Sequence, residues 1–392
     1  MPIEVNPVLR RAGAILRRDR PLLDDSSRVT IRREKAYSQT LGGTHDLSLL
    51  FFRSSGCRFS KAGECTMCDY QVAEAMSADN IAGNVEVFLK SEPRHDALFV
   101  APLGSMFDPR EVPPAARRKI LKYIDKVDCR LVATETRMEF LDLHVVEEFT
   151  NALPGKKLRI NVGLESTFPW VLANSIGKSI PIERLADYVG LLHSRKIEFA
   201  CNILYGSILL SPFEALVLME DSVREAFSIG VDLCVLFPAN VRRWTVQEWL
   251  WQRGQFEPPS LWGLIEVVWR LRAEYAGRIA LSYFDKKLNA SIVAMPTTCP
   301  RCWDSVKAAL WEYAETGEIA PIGRVRSAGC GCRSEWLKSL EAPAPPLQER
   351  ARTVFEALGK EVCGVDWWQR NKEDVKRILS VESSRSIDAP FV

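Results

Sequence analysis

The sequence predicts an α/β protein: a partial, TIM-like barrel of parallel βα units with a cysteine-rich C-terminal domain. Three observations carry this. Short apolar runs bounded by polar residues or glycine recur at Leu47–Phe52, Ala97–Pro102, Arg130–Thr134, Arg159–Gly163, Glu198–Leu204, Asp232–Phe237 and Arg278–Tyr283. Amphipathic stretches separate them, at Pro113–Val127, Glu139–Ala152, Ile182–Ser194, Pro212–Ser228 and Leu261–Tyr275. Alternation at this spacing is the pattern of strands joined by crossover helices. After Asp285 the pattern gives way to Cys299-Pro300-Arg301-Cys302 and Cys330-Gly331-Cys332.

Four segments follow from these shifts. Residues 1–40 form a basic N-terminal arm with Arg10, Arg11, Arg17, Arg18, Arg20, Arg28, Arg32, Arg33 and Lys35, expected as a solvated helix. Residues 41–288 form the barrel, and Asn289–Ala294 is a linker candidate opening the metal-binding region 289–341. The run Ala342–Pro346 is a stiff break before a helical tail, 342–392, whose 3.6-residue periodicity spans Leu347 to Leu379.

Composition sets bounds. At 392 residues the chain accommodates one large core and a smaller domain. The net charge of +2 provides no global footprint for nucleic acid, so an RNA contact must be local or depend on a partner. No apolar run approaches eighteen residues, which argues against a spanning helix, and the arginines of the first twenty residues have no apolar signal core behind them. Eleven cysteines in C-x2-C and C-x-C groupings fit metal binding in a reducing cytoplasm better than a secreted disulfide framework.

The chain is organised around Cys57, Cys65 and Cys68, which share one loop directly after the first expected strand. Three thiolates on a short glycine-containing loop suit a cubane iron–sulfur cluster whose fourth iron stays free for chemistry. The competing readings are a zinc site completed by a distant histidine and redox-inert buried thiols. In a parallel sheet the loops at the C-terminal strand ends carry function, so this loop belongs at the barrel mouth.

The motifs resemble those of radical S-adenosylmethionine (SAM) enzymes. They look specifically like those of the archaeosine-forming radical SAM lyases (RaSEA and relatives), near the Elongator catalytic-subunit branch. The resemblance rests on Gly56-Cys57, Cys65-Thr66-Met67-Cys68 and Tyr70, and on the run from Gly104-Ser105-Met106-Phe107-Asp108 to Pro113. It extends through Glu135-Thr136-Arg137, Gly163-Leu164-Glu165-Ser166, the Trp249–Gly254 and Glu257–Trp262 segments and the closing cysteine pairs. It spans roughly residues 40 to 335. Two departures stand out: Asp69 occupies a position where relatives usually carry glycine, and Leu204-Tyr205-Gly206-Ser207 replaces a Leu/Lys/Pro-rich run.

The resemblance implies a [4Fe–4S] cluster on Cys57, Cys65 and Cys68 that chelates SAM. It also implies an electron donor such as a flavodoxin or ferredoxin, and a nucleoside-like or nucleotide-like substrate. Radical chemistry would then lead to C–N cleavage, C–S bond formation (sulfur insertion) or rearrangement. Met67 and Tyr70 would flank the nucleoside, against loop packing and a core aromatic. Gly104 and Ser105 would let backbone approach the methionyl amine, against a plain tight turn. Asp108 would hold that loop or cap a helix. Glu135 and Glu165 would bind the ammonium or a ribose hydroxyl and Arg137 the SAM carboxylate, against an internal Glu135–Arg137 ion pair.

Cys299, Cys302, Cys330 and Cys332 form a complete ligand set, for zinc or for a second [4Fe–4S] cluster. The second cluster is the expectation carried forward, with a helix around Asp304–Glu315 bringing the pairs together. Cys129, Cys201 and Cys234 read as buried core thiols, Cys363 has no partner by spacing, and no histidine is assigned as a ligand. A different class, a metal-stabilised nucleic-acid-binding protein without turnover, is distinguished by whether SAM is cleaved.

Overall fold

The computed structural model describes residues 4–18, 20, 29–70, 76–92, 94–282, 284 and 291–380. Arg28, Tyr283, Asp285 and residues 289–290 lie outside them.

Eight strands form one nearly closed sheet in chain order: β1 (Val29–Ser38), β2 (Gly43–Phe52), β3 (Arg94–Pro102), β4 (Asp128–Thr136), β5 (Lys157–Glu165), β6 (Ile197–Tyr205), β7 (Leu233–Pro238) and β8 (Ile279–Leu281). From β2 to β8 every pairing is parallel, and all seven expected strands are present. Each parallel step needs a crossover, and helices such as Pro114–Asp125, Leu185–Ser194 and Pro212–Ile229 supply them. The last has both ends encoded locally. Ser211 and Glu214 make a reciprocal capping box, Pro212 sits in the first turn, and Gly230 takes φ 108° at the exit.

The arm departs from expectation. Its second half is β1, paired antiparallel to β2 over Val29↔Phe52 to Ser38↔Gly43. Arg32, Arg33, Glu34 and Lys35 leave this strand half-solvated at the sheet edge, where charge discourages pairing with another chain. Its first half is α1 (Pro7–Leu16), whose Val8, Leu9 and Ala12 are buried in the main core. It is not solvated: Arg17, at its C-terminal end, is 6% exposed.

The C-terminal part also differs in detail. Residues 291–294 do not simply link; Ile292–Ala294 pairs with Val241–Arg242 in a two-stranded ribbon. The tail helix is interrupted, running Leu347–Ala357 and then Val365–Leu379, with a wide turn over Leu358–Val362 and Gly364 at φ 97° between them. Val375 of the last helix accepts a hydrogen bond from Asn6 through its carbonyl, so the tail backs α1. Cys129, Cys201 and Cys234 are buried core thiols, as expected. No helix among the described residues is long and apolar enough to cross a membrane.

Candidate functional site at the barrel mouth

A single cavity lies at the C-terminal ends of β2 to β7, and most of the residues singled out above meet there. Cys57, Cys65, Met67, Cys68, Tyr70, Gly104, Glu135, Arg137 and Glu165 all line it, with Lys178, Asn202 and Arg242. Phe51, Leu204 and Phe237 supply apolar wall. The parallel register explains the convergence, because each strand ends at the same pole and hands its first loop residues to one rim.

The three-cysteine loop is fixed by its neighbours. Cys57 leads into α2 (Arg58–Lys61), and its N–H donates to the Tyr70 carbonyl at 2.9 Å, closing the loop. Cys65 has φ 61°, and its N–H donates to Gly177 O at 2.9 Å. Thr66 donates from N–H to Ile176 O (2.8 Å) and from its hydroxyl to Ser175 O (2.8 Å). Burial, with Glu111 adding, pushes the Cys57 thiol up to about 12. Burial raises Cys65 too, opposed by Lys178 and Arg137, and raises Cys68 further, with Cys65 and Asp69 adding. Without metal these sulfurs are protonated at neutral pH, and metal binding must displace protons.

Opposite the loop, Lys178 Nζ lies 3.1 Å from Glu165 Oε1 and also donates to Gly163 O. Its ammonium is raised: burial opposes the charge, but Glu165, helped by Cys65 and Glu139, outweighs it. Glu165 has φ 66° at an irregularity in the β5–β6 register, and its Oε2 is buried without a hydrogen-bond partner among the described residues. A Cβ at Gly163 would lie 2.7 Å from both Glu165 Oε1 and Lys178 Nζ, so this ion pair needs glycine there. Burial and the neighbouring Glu165 raise Glu135 to about 7, opposed by Lys178 and a hydrogen bond from Asn202.

The geometry bears on three of these readings. Arg137 does not pair with Glu135; it pairs with Glu139 Oε1 (2.5 Å), donates to Ser179 O (3.0 Å) and stacks 3.6 Å from the Phe59 ring centroid. Ser105 lies behind the wall, its hydroxyl 2.6 Å from Thr136 Oγ1 and its N–H donating to Glu111 Oε2 at 2.9 Å. Gly104 lines the cavity but has an internal reason to be glycine. A Cβ would sit 2.4 Å from both carboxylate oxygens of Glu111. Asp108 does hold its loop, accepting from Arg110 N–H (3.0 Å) and pairing with Arg58 of α2 (3.1 Å).

Lys178, Asn202 and Arg242 are cavity residues the sequence analysis missed. Asn202 had a signal, a polar residue inside the apolar run of β6. Lys178 and Arg242 had none, because each reaches the cavity through a loop or ribbon whose path only tertiary structure sets. The donor set fits a [4Fe–4S] cluster and SAM. Three thiols come from one loop, and a lysine and an arginine, paired with Glu165 and Glu139, line the same cavity. A partnerless carboxylate oxygen suits an ammonium or hydroxyl.

The C-terminal cysteines converge as expected, with helix Trp303–Thr316 in the intervening segment, but their spacing is informative. Sγ–Sγ distances are 3.6 Å (Cys299–Cys302), 3.5 Å (Cys299–Cys330), 3.3 Å (Cys302–Cys332) and 3.5 Å (Cys330–Cys332), and all four sulfurs lie within 4.8 Å of one another. A tetrahedral ion with bonds of about 2.3 Å sets its sulfurs about 3.8 Å apart. A cubane holds each thiolate on a different iron and spreads them beyond mutual contact. The geometry therefore favours one ion over the expected second cluster. Trp262 Nε1 donates to Cys332 Sγ at 3.2 Å, and Arg301 lies 3.6 Å from Cys330 Sγ. The Cys332 backbone N–H, followed by Arg301 and Cys299, lowers Cys330 to about 6, whereas burial raises Cys302 to about 12.

No family model matches the chain. Archaeosine synthase subunit beta of Methanosarcina acetivorans is 29% identical over 309 residues, covering 74% of this chain and 84% of that protein. The protein of the same name from Thermococcus kodakarensis is 23% identical over 296 residues, 72% of this chain and 87% of that one. Among solved structures, Elp3 of Methanocaldococcus infernus aligns at TM-score 0.44 and 17% identity, over 60% of this chain and 58% of that one.

The two sequence similarities, with the three-cysteine motif, support an enzyme of the radical SAM class. Within that class, the named proteins it resembles are the archaeosine synthase beta subunits.

Proposed function

We propose that the chain binds SAM in the mouth cavity, on a [4Fe–4S] cluster held by Cys57, Cys65 and Cys68. It then acts as a radical lyase on a nucleoside-like or nucleotide-like substrate. The observation that carries this is the meeting of three thiols from one loop with Lys178, Arg137 and the partnerless Glu165 oxygen on one cavity. Cys57, Cys65 and Cys68 would hold the cluster, which, once reduced by an external one-electron donor, would supply the electron for reductive cleavage of SAM.

The residues of the chain bind and orient. Lys178 and Arg137 offer charge to the carboxylate of SAM. Glu165 Oε2 accepts from its ammonium or a ribose hydroxyl. Glu135, near half-protonated at neutral pH, either donates or accepts toward the substrate. Met67, Tyr70, Phe51 and Phe237 give the nucleoside apolar faces and exclude water.

The relatives' name supports a nucleoside-like target and a partner subunit, and the motif resemblance supports a lyase reaction. With a net charge of only +2, an RNA substrate would be gripped largely by that partner. Sulfur insertion loses its support, because the C-terminal sulfurs are spaced for one ion rather than a sulfide-donating cluster. We assign that ion as zinc, a closed structural site.

The test is anaerobic reconstitution with iron and sulfide, reduction, and quantification of 5′-deoxyadenosine. Turnover by the wild type and none by the triple variant Cys57→Ala/Cys65→Ala/Cys68→Ala is expected. A reconstituted wild type that forms no deoxyadenosine, or a triple variant that does, overturns the proposal.

A further inference from the structure

The buried arginine at the end of α1 has no place in the chemistry above, yet it touches more of the cysteine loop than any cavity residue does. Arg17 Nη1 donates to Ser60 O (3.0 Å) and Glu64 O (2.9 Å), and Nη2 to Cys65 O (2.5 Å) and Cys68 O (2.8 Å). Two of these four acceptors belong to cysteines assigned to the cluster. The loop is irregular, so these carbonyls have no strand partners, and a planar guanidinium can satisfy several of them together.

The contact is built in from both sides. A Cβ at Gly13 of α1 would lie 2.2 Å from Gly63 O, and one at Gly63, where φ is 89°, would lie 1.9 Å from Arg10 O. Helix backbone and loop backbone therefore touch directly, one turn before Arg17. The described hydrogen bonds of Arg17 go to carbonyl oxygens, so its charge is not cancelled by a contacting carboxylate. The nearby carboxylate, Asp69, is engaged elsewhere, by Arg242 (2.8 Å), Arg20 (3.5 Å) and the Ser291 hydroxyl.

We propose that Arg17 is the positioning residue of the cysteine loop. It presets the loop's conformation before metal binds and, given the cluster proposed above, holds a fixed positive charge beside it that raises its midpoint potential.

Three variants test this: Arg17→Gln, Arg17→Lys, and the control Arg10→Gln, which removes a charge from the same helix whose contact is the Glu64 side chain. Hydrogen exchange of the metal-free protein reads the preset loop, and an EPR-monitored redox titration of the reconstituted protein reads the charge. Arg17→Gln should speed exchange over residues 60–68 about tenfold and shift the midpoint to more negative potential. Arg17→Lys should keep the potential near wild type but not the protection, because it retains the charge without the fork. Arg10→Gln should match wild type in both.

Wild-type exchange and wild-type potential in Arg17→Gln overturn the proposal. Should Arg17→Gln not fold, Arg17→Lys decides: faster loop exchange at an unchanged melting temperature supports it, and wild-type exchange overturns it. A wild type that takes up no iron overturns the cluster assignment instead, and the exchange measurement still judges the loop.

Discussion

The two cysteine groups in this chain are built on opposite principles. The three at the barrel mouth are largely enclosed, their thiols pushed upward by burial, and they border a cavity lined by Glu135, Arg137, Glu165 and Lys178. The four near the C-terminus already touch one another, and among them Cys299 and Cys330 are lowered. Trp262 and Arg301 surround them rather than a pocket. In the proposed reading the first group leaves a coordination position for chemistry, and the second closes on one ion that braces the tail. Cysteine count and pair spacing read alike for both. What separates them is the cavity that the mouth cysteines line and the mutual contact of the four tail sulfurs.

The sharpest way to break this contrast is to remove one cysteine from each group. Cys65→Ala should abolish 5′-deoxyadenosine formation, by about a thousandfold or more. Cys332→Ala should instead lower the melting temperature by roughly 5–10 °C while reduced, folded protein still cleaves SAM. Equal loss of cleavage in both variants would erase the distinction.

A smaller effect belongs to the cavity wall. Glu165→Ala should weaken SAM binding about tenfold to a hundredfold, read by calorimetry, with the absorbance of the reconstituted cluster intact. Loss of the cluster would show that Glu165 supports the loop and not the ligand.

Gly104→Val is expected to cost about 2–3 kcal/mol of stability, read by denaturant unfolding, because its side chain must displace the buried Glu111 carboxylate. An unchanged midpoint with weaker SAM binding would return Gly104 to a purely ligand-facing role.

The smallest effect is in pH. Glu135 is raised from an ordinary 4.5 to about 7, so the folded state holds its proton longer than the unfolded chain. Its stabilising contribution is complete below about pH 4.5 and lost as pH rises through about 7, on the order of 3 kcal/mol. In the metal-free protein Glu135→Gln should flatten the fall in urea midpoint across that window. Part of the fall should remain, because burial raises Glu111 to about 7 as well. An unaltered profile would contradict the shift at Glu135.

Seven strands were legible because each is an apolar run ending at the same pole. The motifs at their ends led directly to Cys57, Cys65, Cys68, Glu135 and Glu165. β1 was not legible, since an edge strand carrying Arg32, Arg33, Glu34 and Lys35 has the composition of a solvated arm. Arg17 was hidden for the same reason: a basic residue in a basic run gives no sign that four carbonyls surround it. Lys178 and Arg242 enter the cavity from segments whose direction is set by packing. Spacing brought the four C-terminal cysteines together on paper, but only the distances between sulfurs bear on the choice between one ion and a cluster.

Element analysis of the anaerobically reconstituted chain tests the contrast most directly. About four irons and about one zinc per chain are predicted, one cluster at the mouth and one ion in the tail. About eight irons without zinc would contradict the single-ion site, and zinc without iron would contradict the cluster at the mouth.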